Sequence, residues 1–333
     1  MKKTLALFFG LLLWLVAPPV VVAEPQLANI ILGNSGGAGL VSDLRRVIER
    51  EKIWEKYGLN VKAVYFNSGS LLTQAMAGGN IVASDSDVPA MLNLSISGVA
   101  DVKLVAVTIN RLEHIVVVRK NITKPEELKG KRIAVSRIGS ASDIVTRMVL
   151  RAWKIDPEKE VTYLQVGNTP TRVAALTVGQ VDAALVSPEG VYKIIATGCC
   201  RALADLSELP LDYARFGVTV LTSVIRTQRD AVRRMLMAYI DGIHAYKTQP
   251  TTAYAVMDES GIKDPAVQKD LYDRLAKSLR EYPVPELNGV QNALDSLTVP
   301  NAKTTKPASL MDTTIIEEIK KSGFIDKLYG RTS

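Results

Sequence analysis

Residues 128–143 read Leu-Lys-Gly-Lys-Arg-Ile-Ala-Val-Ser-Arg-Ile-Gly-Ser-Ala-Ser-Asp and constrain this chain more than any other stretch. Gly130-Lys131 makes a turn. Ile133-Ala134-Val135 is a short apolar run suited to a buried parallel strand. A loop of small residues follows, then a helix with Ile144, Val145, Met148, Val149 and Ala152 on one face. Ser140 and Asp143 hold capping-box spacing, with Asp in place of Glu. Backbone N–H groups and hydroxyls therefore collect where a strand ends and a helix begins. In an open α/β sheet that is where ligands bind. An ordinary well-capped helix uses the same residues.

The pattern continues on both sides. Lys124-Pro-Glu-Glu-Leu-Lys-Gly-Lys-Arg-Ile-Ala-Val is followed by Gly139-Ser140, Asp156-Pro157 and Val161-Thr162. Ala174-Ala175-Leu176 then leads to Gly179-Gln180-Val181-Asp182-Ala183-Ala184. With Trp54-Glu-Lys-Tyr-Gly-Leu-Asn-Val before it and Ser322-Gly-Phe-Ile-Asp-Lys-Leu-Tyr after it, this order resembles one family. It is that of the periplasmic substrate-binding proteins of nitrate, sulfonate/taurine and pyrimidine-precursor ABC importers (NitT/TauT, SsuA/THI5-like). Each piece is weak alone; their order and spacing carry the resemblance, which covers nearly all of the chain after its leader.

The N-terminus reads as a signal peptide, residues 1–23. Lys2-Lys3 precede an apolar run, Pro18-Pro19 break it, and Val21-Val22-Ala23 offers small residues for cleavage before Glu24. A membrane anchor is the competing reading, and the proline pair argues against it. The formal charge is +7 over 333 residues, with 47% hydrophobic and 23% charged residues. Lys and Arg are dispersed and aromatics few, so the charge reads as a solvated surface rather than a nucleic-acid footprint.

Strand ends supply the candidate site. A strand over 27–32 runs into Gly33-Asn-Ser-Gly-Gly-Ala-Gly39, which is neither Gly-x-Gly-x-x-Gly nor a P-loop. A strand over 61–66 ends at Asn67, and Ser68 and Ser70 can cap the helix after it. Ile81-Val82-Ala83 reads as a strand ending at Ser84-Asp85-Ser86-Asp87. The family pattern Gly-x-Val-Asp is replaced here by Gly79-Asn-Ile-Val, which leaves the register open. Asp85 and Asp87 can accept from a ligand or cap residues 88–96, the cap being favoured for Asp87. A strand over 102–108 ends at Thr108. Residues 114–119 read as an extended crossing, because four consecutive β-branched residues suit a strand. Strands over 133–135, 161–165 and 183–186 then present Ser136-Arg137, Gly167-Asn168 and Ser187-Pro188-Glu189. Residues 209–216 read as the return crossing, followed by a strand over 217–224 and a helical tail.

Little suggests catalysis. Cys199 and Cys200 are adjacent with no second pair, so no zinc site is expected. Buried thiols, a strained vicinal bridge and pairing with another chain stay open. His244 lies on or beside an apolar helix stripe; His114 lies at the first crossing and can pack or touch the cleft. No Ser-His-Asp order and no motif-bearing carboxylate pair stands out.

The expected fold is α/β, a two-lobed type II periplasmic-binding-protein architecture with two hinge crossings and a cleft between parallel sheets. Lobe 1 is residues 24–113 plus 214–333, and lobe 2 is 114–213. The expected ligand-binding residues are Asn34, Ser35, Gly36, Gly37, Asn67, Ser68, Ser70, Ser84, Asp85 and Thr108 from lobe 1. Lobe 2 adds Ser136, Arg137, Gly139, Ser140, Asn168 and Glu189. Helix N-termini at Ser70 and Ser140 and the Arg137 guanidinium favour an anion; Asp85 and Glu189 suit an amine or ring N–H. The resemblance implies a monomeric periplasmic protein that closes on a small solute and hands it to an inner-membrane ABC permease. No catalysis, cofactor, metal or nucleic-acid partner is expected. A pyridoxal-dependent pyrimidine-precursor synthase and an exported sensory module are the alternatives.

Overall fold

The structure is a computed structural model that describes residues 28–35 and 40–331. The expected signal peptide, Gly36 and Gly37 lie outside the described residues. Among the described residues ten strands form two separate sheets. They are β1 (Ala28–Asn34), β2 (Leu59–Tyr65), β3 (Ala83–Asp87), β4 (Val102–Ile109), β5 (Ile115–Arg119), β6 (Arg132–Val135), β7 (Thr162–Gln165), β8 (Ala183–Val186), β9 (Cys200–Asp205) and β10 (Phe216–Leu221). The first sheet has the order β2-β1-β3-β10-β4, and the second β7-β6-β8-β5-β9.

The sheets are mixed, which corrects the expectation of parallel ones. β1 pairs in parallel with β2 and β3, and β6 with β7 and β8. β10 runs antiparallel to both β3 and β4, and β5 to both β8 and β9. The cause is the route of the chain. β5 and β10 are the strands that enter each sheet directly from the other one. They start at the edge where the neighbouring parallel strands finish, so they run against them.

Local chemistry explains where several helices start. Ser68 accepts from the Leu71 amide and starts the helix Gly69–Ala77. Asn168 accepts from the Thr171 amide and starts Thr169–Thr177. Asp264 accepts from the Ala266 and Val267 amides before Pro265–Ser278. The apolar stripe of the helix Arg229–Thr248, with Val232, Met235, Leu236, Tyr239, Ile240 and Ile243, is buried against the first sheet. Each such side chain contributes about 1.5–3 kcal/mol. A second apolar cluster joins Leu104 and Val107 of β4 to Val116 and Val118 of β5, so the crossing region is packed rather than open. His244 is absorbed in this way too, edge-on to Tyr329 with ring centres 4.8 Å apart.

One expectation needs correction in register. The third strand begins at Ala83, so Ser84, Asp85 and Ser86 lie within it rather than beyond it. Asp85 is tolerated there because a neighbour of β3 bonds to it: Asn34 Nδ2 donates to the Asp85 carbonyl at 2.8 Å and to Oδ1 at 3.0 Å. β9 carried no strand signal in Cys-Arg-Ala-Leu-Ala-Asp, and it forms by pairing with β5 at the sheet edge. Cys199 and Cys200, at its start, are free thiols.

Candidate functional site

A cavity of about 50 Å³ lies where the two sheets face each other. Ser35, Asn67, Ser68, Gly69 and Asp87 line it from the first sheet's side. Ser136, Ala141, Ser142, Asn168, Thr169, Arg172, Ser187 and Glu189 line it from the second, and His114 and Arg215 from the two crossings. Its volume suits one small polar group or about three or four waters. It shares Asn67, Ser68 and Ser136 with a wider cavity of about 320 Å³, where Arg137 stands exposed.

Among the described residues five helices begin at this wall, at Gly69, Val88, Ala141, Thr169 and Pro188. Their first-turn N–H groups favour negative charge. Two guanidinium groups add to it, each 4% exposed. Arg172 is held in place by neutral oxygens. Its Nε donates to the Leu185 carbonyl at 3.0 Å, Nη1 to the Gly167 carbonyl at 2.7 Å and Nη2 to Thr169 Oγ1 at 3.1 Å. Burial pulls it down to about 10, and the charge of Glu189 works the other way. Arg215 pairs with Asp87 and also lies against His114. Burial lowers Arg215 to about 9 and His114 to about 3, so the imidazole is neutral at physiological pH.

Hydroxyls complete the wall. Ser136 Oγ lies 2.7 Å from Ser140 Oγ and 3.0 Å from Ser142 Oγ, while the Ser136 amide donates to Ser142 Oγ at 2.8 Å. Gly139 N–H donates to Asp143 Oδ2 at 2.9 Å, so Asp143 caps one residue earlier than the capping-box pattern implies. Ser187 donates to Glu189, and Ser35 bonds to Ser86. Among the described residues, none that lines the cavity is a lysine, and no group of His, Cys, Asp and Glu is placed to hold a metal.

Of the expected residues, Ser35, Asn67, Ser68, Ser136, Asn168 and Glu189 line the cavity. Asn34, Ser84, Asp85 and Thr108 do not; they are buried within the first sheet. Asp85 lies 3.3 Å from Arg45 Nε. Thr108 Oγ1 donates to the Phe216 carbonyl. Ser140 sits behind Ser136. Ser70 and Gly139 meet at the rim, where Ser70 Oγ donates to the Ile138 carbonyl at 2.9 Å. Asp87 occupies the cap position without capping and turns to Arg215 instead. Sequence reasoning missed Arg172 and Arg215. Arg172 stands four residues after Asn168 on a capped helix, one turn in and facing the same wall. Arg215 gave no signal, because only the return crossing places it.

A family model described as NMT1/THI5 like matches residues 52–253. The chain belongs to that family. It is 26% identical over 218 residues to an ABC transporter periplasmic binding protein of Brachyspira hyodysenteriae, covering 61% of each chain. It is 34% identical over 146 residues to the taurine-binding periplasmic protein of Escherichia coli, covering 43% of each. The chain thus spans about three fifths of the first relative's length and less than half of the second's. A solved structure from Bordetella bronchiseptica shares the fold with a TM-score of 0.80 at 20% identity, covering 92% of this chain and 100% of its own.

Proposed function

We propose that this protein is the exported solute-binding component of an ABC importer, and that it captures a small organic anion of the sulfonate class without altering it. The observation that carries this reading is the pair of buried guanidinium groups, Arg172 and Arg215, on one small cavity where five helices begin. Arg215 already has Asp87, so the demand for an anion falls on Arg172: a desolvated guanidinium bonded to neutral oxygens costs free energy until an anion joins it. An oxyanion head can meet Arg172, the first-turn amides and the Ser136 and Ser142 hydroxyls together, each charged hydrogen bond being worth about 1.5–3 kcal/mol. Asp87 and Glu189 line the same cavity, so a solute that also carries an ammonium gains a second contact.

The two relatives support the reading: one is named as a periplasmic binding protein of an ABC transporter, the other as a taurine-binding one. In this account the moving units are residues 24–113 with 214–333, and 114–213. Closure about the two crossings buries the solute, and the closed form engages an inner-membrane permease. Among the described residues no helix is long and apolar enough to cross a membrane. The test is titration calorimetry on ligand-stripped protein with taurine, ethanesulfonate and nitrate. Saturable binding with taurine tightest is expected. Heats of mere dilution for all three sink the proposal.

A further inference from the structure

Glu113 is a buried acid that the cavity does not explain. It lies on the first crossing, one residue before His114, and is 5% exposed. Neither carboxyl oxygen has a hydrogen-bond partner. The cation beside it is Arg215, whose Nη2 lies 4.0 Å from Oε1, and Arg215 is already paired with Asp87. From the helix Pro188–Ile195, Glu189 faces it with a like charge. On its outer side a crevice of about 440 Å³ carries Arg111, Glu208, Asp270, Asp273, Arg274 and Lys277.

We infer that Glu113 is a positioning residue that sets how much positive charge Arg215 shows to the cavity, and so fixes the pH range over which an anionic solute is held. This rests on the solute reading above. With Glu113 protonated, Arg215 answers to one carboxylate, and the cavity keeps its attraction for an anion. With Glu113 ionised, Arg215 stands between two carboxylates, and its field at the cavity is offset. Burial and the Glu189 charge push Glu113 up to about 8, so the favourable state holds at neutral pH. His114 stays neutral through this range.

The experiment is calorimetry with ethanesulfonate from about pH 6 to about pH 10, on wild type and Glu113→Gln. Ethanesulfonate is chosen over taurine because it has no amine to titrate. Wild-type affinity is expected to be level up to about 8, then to fall by about tenfold per pH unit. Glu113→Gln, which mimics the protonated acid, is expected to keep the low-pH affinity until the pH nears about 9, where Arg215 itself begins to lose its proton. A level wild-type profile overturns the inference. A fall that still begins near about 8 in Glu113→Gln also overturns it, since the titration there would then not belong to Glu113. If ethanesulfonate fails to bind at any pH, the solute reading falls, and carbon-13 NMR of the solute-free protein decides about Glu113. A side-chain midpoint near about 8 that disappears in Glu113→Gln supports it; one near the ordinary 4.5 overturns it.

Discussion

The Arg215 guanidinium lies against the His114 imidazole, with Nε 3.3 Å from Nδ1 and Nη2 2.9 Å from Nε2. The contact ties the return crossing to the first one directly beneath the cavity. It also requires a neutral imidazole, because a protonated one would set two buried cations face to face.

Stability should therefore fall in acid. His114 titrates at about 3 when folded against about 6.5 when unfolded. Between those values the unfolded chain binds a proton that the folded one refuses, so stability is lost as pH drops through that window. Glu113 has the opposite sign. Its folded value is about 8 and its ordinary one 4.5, so the unfolded chain ionises first and stability is lost as pH rises from 4.5 to 8. Urea unfolding of Glu113→Gln should show a stability slope more positive by about 1.4 kcal/mol per pH unit across that window: close to level above about 6.5, where wild type falls, with the acid loss from His114 kept. Equal slopes in the two proteins would show that Glu113 ionises normally in the fold.

Arg172→Gln removes the one cavity guanidinium whose bonded partners are all neutral oxygens. Ethanesulfonate affinity should drop by about 100-fold, the loss of roughly 3 kcal/mol of charged hydrogen bonding. The Leu185 and Gly167 carbonyls lose a donor as well, so unfolding should become easier by about 1–3 kcal/mol. Arg172→Lys should recover part of the affinity, since it keeps the charge and loses the fork. Calorimetry and urea unfolding on the same samples separate the two effects. Unchanged affinity in Arg172→Gln would move the anion elsewhere.

The sequence made most strand-to-helix joints legible, because the signal there is local: a serine or asparagine before an apolar period, as at Ser68 and Asn168. It misled at β3. Ser84, Asp85 and Ser86 look like a polar strand end, yet they are buried in mid-sheet. Asn34 and Arg45, about fifty and forty residues earlier in the chain, satisfy Asp85 there. It was silent on Arg215, whose partners Asp87 and His114 lie about 128 and 101 residues away in sequence. Long-range ion pairs have no periodicity to read.

Asp85→Asn tests that distinction. The Asp85 carboxylate accepts from Asn34 and pairs with Arg45, which is itself 1% exposed. Removing its charge leaves Arg45 to Glu49 and Tyr65 alone, at a cost of about 1–3 kcal/mol. Solute affinity of the protein that does fold should stay within about twofold of wild type, because Asp85 does not line the cavity. A selective loss of affinity at unchanged stability would return Asp85 to the binding site. Denaturant midpoints and calorimetry report the two quantities independently.

The helix Pro188–Ile195 touches the cavity at one end and the opposite lobe at the other. Ser187 and Glu189 stand at its start, while the Tyr192 hydroxyl donates to Asp270 Oδ2 at 2.6 Å. Asp270 belongs to the helix Pro265–Ser278, which also sends Arg274 to Asp205 at 3.2 Å. Both contacts join the two lobes proposed above, so the proposed opening would break them. Tyr192→Phe removes one hydrogen bond to a charged group and leaves the ring packing intact. About 1–2 kcal/mol of closure energy should go with it, weakening solute affinity by roughly five- to thirtyfold. Small-angle scattering of the solute-free variant should show a larger radius of gyration than wild type, and saturating solute should restore the compact profile. If the two solute-free profiles superimpose, the Tyr192–Asp270 contact does not hold the lobes together.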